Sequence, residues 1–440
     1  MTRSALLRTA LAGAAGLILL GGLVGCSEDR DDGDGTSVTG TTASDGAESC
    51  AADLMACANR SSLAEVIPEE GAQASGDPIV IGMINQENTP VGSYPELSSA
   101  ARAAVDFIND QLGGVDGRPL EIEVCNTEFS PEGSTACAQG FVEAGVPVVL
   151  GGIDVFGDGL VTLADNEIPF VGGIPVSTSS VTSPSSYQWS GGTWGATVAF
   201  AHHAATKAGA DRVTIVYPEF DPTTDGARMG ERVLKEAGVS EVQMIPYPIT
   251  ATDLSSPIQA AAATDPDALI LLAADMGCQG AFDGVATTGV EAQVYLVGAC
   301  AAPAIVDQAD PESADGTIFN VEGPIDRSED NVDFSLYAAV ADEYGDGFDP
   351  VGAGTVTFRS VMNLWAAMVQ LDEVTPEALT SALASKVDEP SFMGHPYTCD
   401  GEQLSDLPAM CSPHQILARL EGGELVQIGD WIDVGAVPGA

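Results

Sequence analysis

The stretch IVIGMINQENTPVGSYPELSSAARAAVDFINDQLGGVDGRPLEIEVC, residues 79–125, decides the fold class of this chain. It begins with an apolar run, Ile79–Ile84, which predicts a strand that is buried on both faces. Apolar residues at helical spacing follow from Pro95 to Leu112, and Gly113–Gly114 predicts the end of that helix. Another apolar run, Leu120–Cys125, predicts a second strand. This order of strand, helix and strand predicts a right-handed βαβ unit with parallel strands.

The same alternation continues along the chain and predicts an α/β protein. One set of strands and helices extends to residue 172, and a second set follows from residue 196. A single sheet that held all of these strands would be unusually wide, so two sets predict two lobes, each with its own parallel sheet. The further predicted strands are Val146–Leu150, Pro169–Gly172, Val213–Val216, Val242–Pro246, Ala268–Ala273 and Val294–Val297.

The charge of the chain excludes some classes of partner. The sequence has 64 acidic and 15 basic residues, which gives a formal net charge of −49. So acidic a surface repels nucleic acid and anionic lipid headgroups, and we therefore expect no nucleic-acid partner. The hydrophobic fraction of 45% is typical of a globular protein, and the length allows two domains with real cores.

The N-terminus predicts export. Arg3 and Arg8 precede an apolar run, Ala10–Val24, which is too short and too rich in glycine for a membrane span. The tetrapeptide Leu23-Val24-Gly25-Cys26 at its end resembles the lipobox of bacterial lipoproteins. This resemblance implies a signal peptide over residues 1–25, acylation of Cys26 and a membrane anchor. The alternative is an ordinary secretory signal with an incidental cysteine.

Residues 26–77 are predicted as the lipidated cysteine and a disordered linker. Residues 27–49 are Ser, Thr, Gly and Asp with almost no apolar residue, a composition typical of disorder. Residues 50–77 are ambiguous, because a short helix clipped by a disulfide could interrupt the linker there. The folded body is expected to begin at Asp77–Pro78.

Nine cysteines are present, and Cys26 is set aside as the lipidation site. The others are expected to oxidise in an exported protein. An alternative for part of the set is a zinc site of His395, Cys399, Cys411 and His414, but these residues lack a CxxC pair, and no metal site is predicted. Proximity in sequence predicts the disulfides Cys50–Cys57, Cys125–Cys137, Cys278–Cys300 and Cys399–Cys411.

Four short segments occur in a fixed order along the chain. They are GGVDGRPL at Gly113–Leu120, ADRVTIV at Ala210–Val216, TDLSSPI at Thr252–Ile258 and DPDALI at Asp265–Ile270. The first follows a helix that ends in Phe107-Ile108-Asn109. Each segment alone is weak evidence, but their order across residues 78–436 resembles the type I periplasmic-binding-protein superfamily. Within it, the chain is similar to the Leu/Ile/Val-binding proteins of ABC transporters.

The resemblance implies two Rossmann-like lobes with parallel sheets, joined by a three-strand hinge, and a ligand that is buried when the lobes close. It implies a first lobe of residues 78–190 and 322–391 and a second lobe of residues 191–321 and 392–436. Gly192, Gly316 and Gly323 would absorb the hinge motion. The expected crossover strands are Gln188–Gly192, Thr317–Gly323 and Phe392–His395.

The resemblance also indicates where ligand binds. In amino-acid-binding relatives, hydroxyls after the third and fourth strands hold the ligand carboxylate, and an acid in the second lobe holds the ammonium. Here those loops read GGIDVF (Gly151–Phe156) and GGIP (Gly172–Pro175), and Ala299-Cys300 stands near the position of the acid. The sequence therefore predicts that the ligand is not a simple branched-chain amino acid.

Ten residues that follow predicted strands are candidate ligand contacts, and a solvated loop position is the alternative for each. Several of them are acidic and no Lys or Arg lies near them in sequence, which favours a small neutral or cationic, partly apolar solute. Trp189, Trp194 and Trp365 could stack on a ligand, but core packing is favoured for them. The candidates are Gln86, Tyr94, Asp154, Phe156, Gly173, Glu219, Phe220, Asp221, Asp275 and Met276.

The predicted function is that of a solute-binding lipoprotein of an ABC importer. We expect a monomer on the outer face of the cytoplasmic membrane, without a cofactor, whose partners are a small-molecule ligand, the permease and the ATPase. One alternative is a ligand-sensing receptor with the same fold. A weaker alternative is an exported enzyme, since the sequence has no G-x-S-x-G elbow, P-loop, H-E-x-x-H or dinucleotide glycine fingerprint.

Overall fold

A computed structural model describes residues 50–89, 92–273, 275–325, 331–345 and 347–440, without the side chain of Asp275. The predicted signal peptide, the lipidation site Cys26 and the segment 27–49 lie outside the described residues. The described chain is mixed α/β with two sheets, as the sequence predicts. Among its described residues, no helix is both long enough and apolar enough to cross a membrane.

The first lobe is built on a parallel sheet with helices on its faces. Its strands are β1 (Ile79–Asn85), β2 (Leu120–Asn126), β3 (Val149–Gly151), β4 (Phe170–Val171) and β5 (Ser186–Tyr187). They pair in the order β2-β1-β3-β4-β5, all in parallel. The helices before and between them are α1 (Leu54–Ala58), α2 (Pro95–Gln111), α3 (Pro131–Ala144), α4 (Gly159–Asp165) and α5 (Thr178–Thr182).

The segment Gly113–Leu120 joins α2 to β2 through a turn that requires glycine. Gly113 and Gly114 have φ angles of 77° and 69°, in the left-handed region that side chains disfavour. A Cβ on Gly114 would lie 2.1 Å from the carbonyl oxygen of Arg118. The Gly114 amide donates to the carbonyl of Ile108 at 3.0 Å, which ends the helix. Because only glycine fits at this close approach, the segment can connect α2 to β2 by a tight turn and so complete the first βαβ unit.

The second lobe has a sheet that is parallel except at one edge. Its strands are β6 (Arg212–Pro218), β7 (Glu241–Tyr247), β8 (Ala268–Leu271), β9 (Gln293–Leu296), β10 (Ile318–Val321), β11 (His414–Glu421) and β12 (Glu424–Asp433). The order is β12-β11-β10-β9-β8-β6-β7. The hairpin of β11 and β12 pairs antiparallel with β10, an edge that the sequence analysis did not predict. The helices are α6 (Gly192–Thr206), α7 (Asp221–Glu236), α8 (Ser255–Ala262), α9 (Asp275–Thr288), α10 (Pro303–Val306) and α11 (Pro311–Ala314).

The chain then returns to the first lobe and leaves it again. After β10 come α12 (Val332–Tyr344), α13 (Gly354–Met368) and α14 (Pro376–Ala384). Their buried residues pack in the apolar core of the first lobe. The described chain therefore crosses between lobes after β5, after β10 and after α14. The predicted crossovers at 188–192 and 317–323 fall on the first two passages. The third, Phe392–His395, lies in the last passage and forms a turn instead of a strand.

The apolar clusters show which lobe each segment packs with. The first contains Phe107 and Trp365, and the second contains Trp194 and Phe200. Phe392, Met393, Tyr397, Cys399 and Cys411 belong to the first cluster, although the sequence analysis places residues from 392 onward in the second lobe. The difference arises because the last passage covers the first lobe before it reaches β11.

The folded body includes residues from Cys50 onward, ahead of the start at Asp77–Pro78 that the sequence predicts. The side chain of Asp53 caps α1 by accepting the Ala56 amide at 2.9 Å, and Leu63 and Ile67 pack into the first cluster. The hydroxyl of Ser62 donates to the carboxylate of Asp333 at 2.6 Å. Residues 50–67 are therefore part of the folded body, because their widely spaced apolar residues are buried in the core of the first lobe.

Disulfides join all four predicted pairs within the described residues. The Cα atoms of Cys50–Cys57, Cys125–Cys137, Cys278–Cys300 and Cys399–Cys411 are 5.3, 5.5, 5.1 and 4.4 Å apart, respectively. The prediction from sequence proximity is confirmed. The last bridge also leaves no thiolate on Cys399 or Cys411 for the zinc alternative.

Candidate functional site

A cavity of about 200 Å³ lies between the lobes, at the carboxyl ends of the parallel strands. Its walls in the first lobe come from the loops after β1, β3 and β4. Its walls in the second lobe come from the loops after β6, β7, β8 and β9. The segment after β10 and the start of α13 close the side next to the passages between the lobes. The apolar lining residues include Ile153, Val155, Ile174, Val176, Ile249, Leu272, Val297, Val321, Ile325, Phe334, Val351, Val356, Met393 and Leu425.

Glycines bring the loops of the first lobe close enough to form this wall. A Cβ on Gly152 would lie 2.4 Å from Oδ1 of Asn85, and that oxygen accepts the Ile153 amide at 3.1 Å. Gly173, with φ 81°, donates its amide to the Ser360 hydroxyl at 3.2 Å. Because the amides of both loops are held by side chains of β1 and α13, Ile153 and Ile174 are fixed in the cavity wall.

Most polar side chains of the lining already have protein partners. The hydroxyl of Thr223 donates to the carbonyl of Pro218 at 2.6 Å, and that of Thr355 donates to the carbonyl of Gly352 at 2.9 Å. The Asn320 side chain accepts the Gly298 amide at 2.8 Å and donates to Gln415 at 3.2 Å. A solute in the cavity therefore meets mainly carbon.

A buried ion pair forms the charged part of the lining. Arg359 of α13 is 3% exposed, and its Nη2 lies 3.3 Å from Oε2 of Glu322, just after β10. Its Nη1 also donates to the Glu322 carbonyl oxygen. Burial lowers the pKa of Arg359 below its ordinary value, and the Glu322 carboxylate opposes that shift. This pair is not among the residues predicted from the sequence, where the only sign of it is a lone arginine within the apolar segment GTVTFRSVMNLWAAM.

Three phenylalanines connect the lobes beside the cavity. Phe156 of the first lobe contacts Phe129 edge to face, with ring centroids 5.2 Å apart. Phe156 also contacts Phe220 of the second lobe at 5.8 Å. Of the three, Phe220 lines the cavity. The contact between Phe156 and Phe220 therefore links the two walls of the cleft.

This architecture matches a known family. Residues 78–406 match the sequence profile of a family described as periplasmic binding protein. The chain belongs to the periplasmic binding protein family. No curated protein sequence matches it significantly.

Solved periplasmic binding proteins share the fold of this member at low sequence identity. A leucine binding protein from Thermotoga maritima is 14% identical, with a TM-score of 0.66 over 81% of this chain and 99% of that one. A fatty acid ABC transporter substrate-binding protein from Thermomonospora curvata is 17% identical, with a TM-score of 0.66 over 83% and 96%. An ABC transporter solute binding protein from Rhodopseudomonas palustris BisB5, in complex with 3,4-dihydroxybenzoic acid, is 18% identical, with a TM-score of 0.68 over 83% and 99%. These likenesses show the type I fold.

In this periplasmic binding protein, two of the predicted contact residues, Tyr94 and Phe220, line the cavity. Gln86 is buried beneath the loop after β1, where its side-chain amide donates to the Gly92 carbonyl at 3.0 Å. Phe156, Gly173 and Met276 are close in sequence to lining residues but do not line the cavity themselves.

The predicted acidic residues do not gather in the cleft of this binding protein. Asp154 is buried in the first lobe, where its carboxylate accepts the Ser134 hydroxyl at 2.6 Å and the Gly157 amide at 3.1 Å. Burial raises its pKa, and those hydrogen bonds oppose the shift. Glu219 and Asp221 are exposed outside the lining. The side chain of Asp275, the first residue of α9, lies outside the described residues.

The three tryptophans that could have stacked on a ligand are buried in the lobes. Trp189 and Trp365 belong to the first apolar cluster and Trp194 to the second. The indole nitrogen of Trp365 donates to the carbonyl of Gly114 at 2.8 Å. These residues pack the cores of the binding protein and do not line its cavity.

Proposed function

We propose that this protein captures a small, neutral, mainly apolar solute in the cleft between its lobes and delivers it to an ABC importer. The permease and the ATPase of that importer are its partners. The observation that carries the proposal is the apolar wall contributed by both lobes. Removal of carbon surface from water favours such a solute, by about 25 cal/mol per Å² of buried apolar area.

The charges of the cleft support a neutral solute over a cationic one. The cationic alternative rests on Asp154, Glu219, Asp221 and Asp275. Asp154 is enclosed in the first lobe, and Glu219 and Asp221 lie outside the cavity lining. Glu322 does line it, but its carboxylate is paired with Arg359. The described lining thus offers a cationic solute no free carboxylate.

Two solved proteins of this fold are described with compounds that combine a carbon body with a carboxyl group. One is described as a fatty acid transporter substrate-binding protein, and another holds 3,4-dihydroxybenzoic acid. We propose that this chain likewise serves transport of a solute with a substantial carbon body. It would act outside the cell, anchored through an acylated Cys26, and return its solute unchanged.

Native mass spectrometry of freshly purified protein, followed by titration calorimetry of the solute found, tests the proposal. We expect a co-purified small molecule that is neutral and largely carbon, released unchanged on denaturation. L-Leucine should not bind at micromolar concentration, because the loops after β3 and β4 lack hydroxyl side chains for its carboxylate. A chemically altered molecule, or micromolar leucine binding, would contradict the proposal.

A further inference from the structure

The guanidinium of Arg359 is the buried polar group at the cavity whose bonding is incomplete. It lines the cavity at 3% exposure and directs its hydrogen bonds to one residue, Glu322. Its Nε has no hydrogen-bond partner among the described residues. A guanidinium has five N–H groups, and a buried N–H without a partner costs free energy. Nε itself is enclosed, so an acceptor atom on a bound solute would meet the terminal N–H groups that the two bonds to Glu322 leave unused.

The neighbouring charges decide which kind of acceptor fits. Arg359 and Glu322 are the charged side chains of the described lining, and they neutralise each other across 3.3 Å. An anionic solute would gain from Arg359 but meet repulsion from Glu322, in a protein whose formal net charge is −49. A cationic solute would meet repulsion from Arg359. A neutral acceptor avoids both penalties.

We propose that the Arg359–Glu322 pair is the polar end of the binding site and that a terminal guanidinium N–H of Arg359, one that Glu322 does not use, donates to a neutral carbonyl oxygen of the solute. The solute class is then a carbonyl compound, such as an amide, ester or ketone, with an apolar body. This inference rests on the proposed capture of a neutral apolar solute. It adds the functional group of that solute and the residue that selects it.

The Arg359–Glu322 pair lies where the chain passes between the lobes. Glu322 lies on the passage after β10, and its neighbour Gly323 is so close to the last passage that a Cβ there would lie 2.2 Å from the Met393 carbonyl oxygen. Arg359 is held by α13 of the first lobe. A carbonyl bound to Arg359 therefore sits where the lobes are joined, and it orients the apolar body toward the walls of both lobes.

A matched set of probes with one carbon body tests the proposal. Phenylacetamide, phenylacetate and 2-phenylethylamine share a phenyl body and differ in the charge of the polar end. Titration calorimetry of the full folded protein, stripped of co-purified solute, should give a dissociation constant for phenylacetamide about tenfold or more below those of both charged probes. Equal or tighter binding of phenylacetate would overturn the inference.

Two variants separate selection by Arg359 from loss of folding. Arg359→Met alone leaves Glu322 buried without its partner and risks destabilisation. The double variant Arg359→Met with Glu322→Gln removes both charges and should fold, as judged by its thermal transition. We expect it to bind phenylacetamide about tenfold more weakly than the parent protein. A double variant that keeps the parent preference for the amide would refute the role of Arg359.

A surface arginine provides the control. Arg228 has 63% side-chain exposure and pairs with Asp225 on α7, so Arg228→Met changes the net charge as Arg359→Met does. It should leave the order of the three probes unchanged. If no probe binds and no solute co-purifies, the proposed function itself fails. If a charged probe binds best, capture of a solute by the cleft stands, whereas the neutral solute class and the selection by Arg359 both fail.

Discussion

Phe156 and Phe220 meet edge to face across the cleft, with ring centroids 5.8 Å apart and ring planes at 82°. Phe156 follows β3 of the first lobe, and Phe220 follows β6 of the second. Phe129, which supports Phe156 from behind, has a φ of 52° although it is not glycine. The chain therefore accepts an unfavourable backbone conformation at the residue that supports this contact.

The Phe156–Phe220 contact should stabilise the closed arrangement of the lobes. An edge-to-face pair contributes about 0.5–1.5 kcal/mol beyond its buried area, so Phe156→Ala should weaken solute binding up to about tenfold. The main change should be faster dissociation, measured by stopped-flow release of the co-purified solute. Phe129→Ala is the matched control, because it removes a contact within the first lobe and should change dissociation less. Equal dissociation rates in parent and Phe156→Ala would contradict this role.

The sequence predicts the parallel core well because its strands are continuous apolar runs. The predicted Ile79–Ile84 and Leu120–Cys125 correspond to β1 and β2 within one residue at their carboxyl ends. It does not predict the edge hairpin of β11 and β12. β12 is partly exposed, and its apolar residues do not form the continuous run that marks the parallel strands.

The sequence also predicts which loops form the cleft, but not which side chains line it. The loops at 151–156 and 172–175 do reach the cavity. Whether Ile153 or Asp154 faces it depends on tertiary contacts such as that of Gly152 with the Asn85 side chain, which no residue pattern encodes. Arg359 was missed because a charged residue in a helix is normally solvated, whereas α13 is buried along nearly its whole length.

The disulfide between Cys278 and Cys300 should be important for binding as well as stability. It fixes α9 to the turn Gly298–Ala301, which lies in the cavity wall. Replacing both cysteines by Ala should lower the free energy of unfolding by about 3 kcal/mol and weaken solute binding. Thermal denaturation and calorimetry measure the two effects. The double Ala variant of Cys50 and Cys57, away from the cavity, should lose stability while keeping the affinity of the parent. If the variant without Cys278 and Cys300 kept the affinity of the parent, this disulfide would have a structural role only.

Asp154 should matter for stability and not for the solute. Asp154→Ala leaves the Ser134 hydroxyl and the Gly157 amide without their buried acceptor, which should cost about 1–3 kcal/mol. The affinity for the co-purified solute should stay unchanged. Glu219→Ala, a variant of an exposed acid from the same predicted set, should change neither quantity. Chemical denaturation and calorimetry on both variants decide the matter, and a large loss of affinity in Asp154→Ala would restore this residue as a ligand contact.

His414 should make the hinge region sensitive to acid. Its ring stacks on His395 with centroids 3.5 Å apart, and both rings contact Trp431 edge to face. Burial, and then repulsion from His395, lowers the pKa of His414 to about 4, while Asp433 opposes the shift. The unfolded chain therefore binds this proton more readily than the folded one. The stability from neutral His414 is complete above about pH 6.5, the ordinary pKa of histidine, and is lost as the pH falls toward 4.

The variant His414→Phe keeps an aromatic ring in the stack but cannot be protonated. At pH 8 its melting temperature should be close to that of the parent, because the ring at position 414 is then uncharged in both proteins. Between pH 6.5 and 4 the parent should lose about 2–4 °C more than the variant, which corresponds to roughly 1 kcal/mol in a protein of this size once solvent screening is allowed for. The many surface carboxylates titrate in both proteins, so their effect on the melting temperature cancels when the two are compared. Parallel melting curves at every pH would show that protonation of His414 does not weaken the junction between the last passage and β11.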